Sequence, residues 1–467
     1  MSPAVPEKNS PIHSLGALGL RHNSPVILNS RTLVWLCGYV LIAILPLVLG
    51  LVDLDPGRGF WINFSVAMGF VALAMLGMQF LLAARTRFVS DPIGMDVVLR
   101  YHRQISYVAV VLVLAHPLTL LLTDSRFLPL FNVWTSPLRA KLAVASVLCL
   151  IALVVLSVWR TRLRIGYAKW QAVHALLAVA VVVTAMGHTV LVGYYVREPW
   201  ESFLWILSGF AFIGLGVWVR IVKPILRRRR RWIVEEIVPE AGGSTSVTLR
   251  LVDPTSYGPN GFRFDAGQFA WILMHRSPFA MTYHPFSFSS SAEHHQHVQF
   301  TIKAFGEFTH EVARLAIGDV VYLDGPYGSF SIDDDPTTTL VLIGGGVGVT
   351  PLLSMLETLA DRQDTRPCAI FLSNRGLENR TCGSRIDALE PRLQLTIVDV
   401  LETPPSDWSG EVGYLTEDVL RRHIGGDPAA ARYFVCGPPG LMDAVDVALA
   451  SMGVPAANVH AERFGMV

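Results

Sequence analysis

Leu340-Val341-Leu342-Ile343-Gly344-Gly345-Gly346-Val347-Gly348-Val349-Thr350-Pro351 leads from an unbroken apolar run through a glycine turn into a second apolar stretch, Leu352–Ala360. Consecutive branched aliphatics suit a parallel strand covered on both faces. Glycines let backbone approach a pyrophosphate closely, and the free N–H groups that open the next helix point at its charge. Gly344, Gly345, Gly346, Gly348, Thr350 and Pro351 are read as a phosphate cradle, although their spacing departs from G-x-G-x-x-G. Further strands are expected at Cys368–Leu372, Leu395–Val400 and Tyr433–Val435, the last running into Cys436-Gly437-Pro438-Pro439-Gly440. Two glycine turns in one alternating unit predict an α/β, Rossmann-like NAD(P)-binding domain over residues 337–467, with Gly437 and Pro438 at its site. Past the second strand an NAD site would place a carboxylate for the ribose 2′-hydroxyl. This chain reads Ser373-Asn374-Arg375, with Arg380 beyond. A guanidinium grips a phosphate through two charge-assisted hydrogen bonds. NADPH is therefore expected over NADH; two solvated surface arginines are the alternative.

Upstream, residues 229–336 break into short alternating segments at Trp232–Val238, Ser246–Val252, Gln268–Leu273, Val298–Ile302 and Val320–Leu323. Turns such as Asp265-Ala266-Gly267 separate them, and the pattern predicts a small antiparallel β-barrel. Inside it stands His284-Pro285-Phe286-Ser287. A flat ring would stack on Phe286 while Ser287 offers it a hydrogen bond; a plain strand with serine on its exposed face is the alternative. Lys303, Gly306 and Thr309 suit a turn that approaches phosphate.

The first half has a different solvent. Of the 467 residues, 52% are hydrophobic and 16% charged, and the mean hydropathy is +0.44. Disorder is excluded by these values. A net charge of +1 hides a split: residues 1–222 carry 17 Lys and Arg against 8 Asp and Glu, and residues 223–467 carry 21 against 29. Six apolar stretches predict an all-α, six-helix transmembrane bundle over residues 31–224, behind a polar tail at 1–30. They lie near Leu33–Leu51, Phe60–Ala84, Ile105–Leu122, Lys141–Trp159, Trp170–Gly193 and Trp200–Val222. Basic residues (Arg85, Arg87, Arg100 and Arg103; Arg160, Arg162, Arg164 and Lys169; Lys223 and Arg227 to Arg231) fall in alternate loops. Asp53, Asp55, Arg58, Arg197, Glu198 and Glu201 fill the others. By the positive-inside rule, both ends and the second half are expected in the cytoplasm. The arginine run beside a span is read as a topology anchor, and no nucleic acid is expected as a partner.

Four histidines stand where ionisable groups are costly. His102 and His116 belong to the third stretch and its entry, and His174 and His188 to the fifth; both pairs are 14 residues apart. That spacing is nearly four helical turns, so each pair shares one face at two depths roughly 21 Å apart. The two spans run the same way, which levels His102 with His174 and His116 with His188. A flat apolar group ligated on both faces by imidazole suits such pairs, which points to two haems; proton-relay histidines are the alternative. Five separated cysteines make no C-x-x-C-H, so no covalent haem attachment is expected.

In this order the chain resembles the ferric reductase and NADPH oxidase superfamily, particularly its single-chain bacterial members. The His pairs are similar to its haem ligands, Leu163–Trp170 to its basic-aromatic entry into the fifth span, and His284-Pro285-Phe286-Ser287 to its flavin motif. Asp324-Gly325-Pro326-Tyr327-Gly328, the Gly344–Pro351 turn, Cys436-Gly437 and Glu462-Arg463-Phe464 are similar to its ferredoxin-reductase-like module. The resemblance implies two b-type haems, FAD and NADPH, with Cys436 and Phe464 in catalytic roles. Phe464 would cover the flavin and swing aside for the nicotinamide. It further implies electrons passing from NADPH through FAD and both haems to a small acceptor across the bilayer, oxygen or a ferric chelate, without an obligatory protein partner. A reductase serving a quinone or a partner protein, and a channel with a nucleotide-sensing domain, are the other readings.

Overall fold

The computed structural model describes residues 30–52, 59–84, 95–194, 196, 198–274, 277–280, 283–304, 312, 314–332 and 339–463. The N-terminal tail, Asp53, Asp55, Arg58, Arg85, Arg87 and Arg197, and the site candidates Gly306, Thr309 and Phe464 lie outside the described residues.

The first half is helical: α1 (Ser30–Val52), α2 (Phe60–Ala83), α3 (Met95–Thr123), α4 (Leu138–Val158), α5 (Tyr167–Val192) and α6 (Pro199–Val217). Among the described residues α2 to α6 are long and apolar enough to cross a membrane, whereas α1 contributes a shorter apolar stretch, Leu33–Val48. Local chemistry sets the ends. Glu198 and Glu201 form a capping box around Pro199 at the start of α6. Gly193 ends α5 with φ +66°, a conformation that side chains resist. α2 packs along α3, and α4 along α5, as antiparallel pairs. At Gly77 a Cβ would come within 2.1 Å of the Phe212 ring, so the absent side chain lets α6 close on α2. Beyond α6 the helix passes through a π turn, Trp218–Val222, into a last turn, Lys223–Arg227.

The second half holds two six-stranded sheets. One is antiparallel in the order β4-β3-β6-β1-β2-β5, made of β1 (Arg231–Glu240), β2 (Ser244–Leu251), β3 (Phe269–Leu273), β4 (His284–Ser287), β5 (His297–Lys303) and β6 (Val320–Tyr327). Its outer strands approach through an isolated bridge, Phe288 to Phe300. The other is parallel in the order β10-β9-β8-β7-β11-β12. It comprises β7 (Leu340–Gly345), β8 (Cys368–Asn374), β9 (Leu395–Leu401), β10 (Glu411–Val412), β11 (Arg432–Cys436) and β12 (Val459–Glu462). Helices α7 (Val349–Asp361), α8 (Gly383–Asp387), α9 (Glu417–His423) and α10 (Pro439–Ser451) accompany it. β10, two residues long, escaped the sequence reading because it lacks an apolar run. One core cluster runs through both units, joining Val247, Phe288 and Phe300 to Leu352, Leu356 and Ile370.

Three membrane helices end on one patch of the antiparallel sheet. Leu99 of α3 packs on Phe269, Trp271 and Tyr327. Tyr167, which opens α5, stands 6.2 Å from His284 between ring centres. Arg227 pairs with Asp324 at 2.5 Å, both side chains nearly buried, and donates to the Tyr283 hydroxyl at 3.0 Å. The Tyr327 hydroxyl donates to Asp324 Oδ1 at 2.9 Å.

Asp324→Asn leaves the Arg227 guanidinium at the junction without its counter-charge. The substitution is expected to cost about 2–3 kcal/mol and to expose the linker around residue 228 to trypsin; unchanged thermal unfolding and proteolysis of the full chain would remove this role. A Cβ at Gly348 would lie 2.4 Å from the Cys436 carbonyl oxygen. Gly348→Ala is therefore expected to cost roughly 1–3 kcal/mol by overpacking, read from the same unfolding curves.

Candidate functional site

Histidines stand at two levels inside the helical half, and at one of them the rings of a pair meet. Nearer the sheets, the His102 and His174 ring centres are 6.4 Å apart with planes at 54°. Metal–imidazole bonds of about 2 Å on either side of one iron separate ring centres by roughly 6 Å. The pair thus stands at a spacing at which both rings would hold one iron between them. His174 Nδ1 meets Ser157 Oγ at 3.1 Å, while His102 Nδ1 is buried with no hydrogen-bond partner among the described residues. At the far level His116 Nδ1 donates to the Ser65 carbonyl at 2.8 Å, and Ser65 Oγ donates back to the His116 carbonyl at 2.7 Å. His188 Nδ1 donates to the Arg139 carbonyl at 2.9 Å. A carbonyl only accepts, so the proton belongs on Nδ1 and the Nε2 lone pair is left for a metal. Among the described residues no group of three or more His, Cys, Asp or Glu gathers; ligand pairs are the arrangement present.

Sequence reasoning missed the residues that hold these rings. Ser65 and Ser157 were visible only as hydroxyls inside apolar runs, and the Arg139 carbonyl carries no sequence signal at all. Arg220, in the π turn, lies close enough to His174 to act on it electrostatically. Arg100 and Arg103 are exposed.

The flavin motif forms β4, pairing Phe269 with Ser287, Ala270 with Phe286, Trp271 with Pro285 and Ile272 with His284. Alternation along the strand puts His284 and Phe286 on one face and Pro285 and Ser287 on the other. Ser287 is buried, and its Oγ has no hydrogen-bond partner among the described residues. A buried hydroxyl without a partner is costly, so Ser287 fits a group that a flat polar ring would satisfy. Lys303 is exposed at the end of β5.

In the parallel sheet the order reverses between β7 and β11, where such folds bind their ligand. Gly344 pairs with Cys436 there, bringing the two glycine turns together. Gly346 has φ +53°, and its N–H donates to Asn374 Oδ1 at 3.3 Å. Cβ atoms at Gly345 and Gly437 would each meet Leu441 at 2.8 Å. Pro438 caps α10, and Thr350 and Pro351 are buried in the first turn of α7. The Thr350 hydroxyl donates to the Val347 carbonyl at 3.0 Å, so it supports the turn. Ser373, half-buried, pairs with Gly345, and Arg375 is exposed just beyond.

One expectation needs correcting. Arg380 is not a free phosphate fork: its guanidinium donates to both oxygens of Asp387 at 2.8 and 2.7 Å and to Asp399 at 2.8 Å. Those carboxylates already use its planar donor set. Cys436 is fully buried, and burial pushes its thiol well above the ordinary value, with Glu462 adding to the effect. A protonated thiol is no nucleophile, which leaves Cys436 the role of a neutral wall. β12 ends beside it, Glu462 paired with Cys436.

Between the two units lies a polar seam absent from the sequence reading. Arg385 Nη2 donates to the Ser289 carbonyl and to Glu357, each at 2.6 Å, and Nη1 donates to Gln299. Ser354 Oγ donates to the Ser290 carbonyl at 2.7 Å, and the Ala292 N–H donates to Thr358 at 2.9 Å.

Comparison with known proteins follows this division. Residues 68–185, which include His102, His116 and His174, match the family described as "Ferric reductase like transmembrane component". Residues 249–345 match an FAD-binding domain and residues 342–446 an oxidoreductase NAD-binding domain. The propane 2-monooxygenase reductase component of Rhodococcus jostii (strain RHA1) is 29% identical over 240 residues, 50% of this chain and 62% of that protein. NADH-cytochrome b5 reductase 1 of Mortierella alpina is 26% identical over 298 residues, 59% of this chain and 94% of that protein. The chain spans less than two thirds of the two propane 2-monooxygenase reductase components it matches, 62% and 66%. The solved flavohem-like FAD/NAD-binding domain of nitric oxide dioxygenase from Vibrio cholerae O1 biovar El Tor is 22% identical, with a TM-score of 0.44. That likeness covers 50% of this chain and 98% of that one. Taken in order along the chain, the three family matches and the apolar helices make this an integral membrane protein of ferric reductase/NADPH oxidase-type architecture.

Proposed function

We propose that this chain takes electrons from a reduced nicotinamide nucleotide, NADPH before NADH, and delivers them singly to an acceptor across the membrane. When bound, FAD would supply the conversion between two-electron and one-electron transfer, and two b-type haems would supply single-electron carriers. His102 with His174, and His116 with His188, would hold the haems, oriented by Ser157, Ser65 and the Arg139 carbonyl. Phe286 and Ser287 would hold the flavin ring, the glycine turns after β7 and β11 the pyrophosphate, and Arg375 the 2′-phosphate. The reading rests above all on the 6.4 Å between the His102 and His174 rings at a level shared by two helices that start on the same side. With both histidines of each pair used to hold the iron, a small acceptor, oxygen or a ferric chelate, would take its electron without binding iron.

Arg100, Arg103, Arg160, Arg162, Arg164, Lys169 and Lys223 belong to helix ends and loops on the side of the sheets. This supports a cytoplasmic second half; the reading adds a bacterial inner membrane, α1 as a sixth span, and a barrel-like FAD unit whose edges meet at Phe288 and Phe300. The division into residues 31–224, 229–336 and 337–467 follows the same reading.

The purified protein is expected to show low-spin, non-covalent haem absorption equal to about two haems per chain. A His116→Leu/His188→Leu double variant is expected to lose one of them and to keep NADPH-driven flavin reduction; retention of both would remove the ligand assignment. Arg375→Ala is expected to lower kcat/KM for NADPH about tenfold, the loss of a charge-assisted hydrogen bond, and to leave NADH kinetics alone. Equal effects on both nucleotides would return Arg375 to the solvated surface.

A further inference from the structure

An unbroken series of rings joins the flavin motif to the inner histidines. Tyr167, Trp170 and His174 occupy i, i+3 and i+7 of α5, one face of the helix. Ring centres step 5.5 Å from Tyr167 to Trp170 and 5.2 Å from Trp170 to His174, with planes at 42° and 46°. At the other end Tyr167 reaches across the junction between the halves to His284 of β4, 6.2 Å away with planes at 41°. The Arg160 guanidinium lies over both middle rings, 5.3 and 5.4 Å from their centres. Trp170 also donates its indole N–H to Ser157 Oγ at 3.4 Å, the hydroxyl that meets His174 Nδ1. A helix entering a membrane needs only apolar bulk at these positions. Ring-to-ring contact at every step, clamped by a cation and tied to a candidate ligand, is more than bulk requires.

We propose that His284, Tyr167 and Trp170 form the electron-conducting bridge between the flavin side and the inner histidine pair, with Arg160 as a positioning residue that keeps the middle rings in line. The proposal rests on the function proposed above. The bridge carries one electron at a time from the flavin side, which NADPH replenishes, to ferric iron held by His174, so one electron is lost and one gained. No bond forms or breaks on it, and no proton moves. Adjacent π systems overlap better than saturated side chains do, which shortens the gap an electron must cross. The Arg160 charge above Tyr167 and Trp170 disfavours a positive charge on either ring. The rings therefore conduct without themselves being oxidised.

Anaerobic stopped-flow mixing of the full-length, cofactor-loaded protein with NADPH reads flavin bleaching and haem reduction at separate wavelengths, and a redox titration reads the haem potential. Tyr167→Leu and Trp170→Leu are expected to slow haem reduction about tenfold or more, as small misplacements at reacting centres do. Flavin bleaching, haem absorption and haem potential are expected to stay as in the unmodified chain. Tyr167→Phe and Trp170→Phe, which keep a ring, are expected to reduce haem faster than the corresponding Leu variants, and Trp159→Leu, an aromatic 46% exposed outside the series, to retain the original rate. Leu variants that reduce haem at the original rate overturn the bridge. So do Phe variants as slow as the Leu variants, or slowing that tracks a shifted potential. Loss of haem absorption in the Leu variants makes the rings props for the haem site and overturns it as well. Haem absorption missing from the unmodified protein is instead a failure of the proposed function.

Discussion

An imidazole inside an apolar bundle is costly unless its nitrogens have partners, and three of the four histidines, all but His102, are held to a neighbouring helix in that way. Each tie that the structure shows runs from a histidine to the helix packed alongside its own. His116 of α3 is tied to Ser65 of α2; His174 and His188 of α5 are tied to Ser157 and the Arg139 carbonyl of α4. The ties fix the rotation of α3 against α2 and of α5 against α4. Two helix pairs, locked separately, then turn their histidine faces toward each other. Small residues at the contacts serve the same end: a Cβ at Gly187 would come within 2.9 Å of Leu142, between α5 and α4.

The same demand governs the junction. Arg227 ends the last membrane helix in a nearly dry position, so it needs a counter-charge, and Asp324 supplies one from β6. Tyr283 and Tyr327 complete the set, which makes β3, β4 and β6 the seat for the ends of α3, α5 and α6. The flavin motif is one of these strands. Whatever holds the helices to the sheet therefore also sets the distance from β4 to His174.

Within the second half the two units are bound by both kinds of force. A shared apolar core supplies the non-directional part, and the Arg385 fork across Ser289, Gln299 and Glu357 supplies the directional part. Burial pushes the Glu357 carboxyl up while Arg385 pulls it back, so each partner makes the other tolerable in place. Arg380 with Asp387 and Asp399 does the same for the loop after β8. Nothing beside Arg380 in the sequence marks these ion pairs, because its carboxylate partners lie 7 and 19 residues away along the chain.

By itself the sequence determined what repeats along the chain: apolar runs long enough to span, strand alternation, two glycine turns, and histidines 14 residues apart on two helices. Periodicity and spacing encode faces and depths, and these are local properties. The tertiary structure alone decided which groups from distant segments meet. Ser65 finds His116 across 51 residues, and Arg227 finds Tyr283 across 56. Tyr167 finds His284 across the junction of the two halves. It also decided the surroundings of Cys436, because burial at the switch point of the sheet, and not the residues beside it in the chain, pushes its thiol up. Partners of this kind are selected by packing, which acts through space and leaves the sequence between them silent.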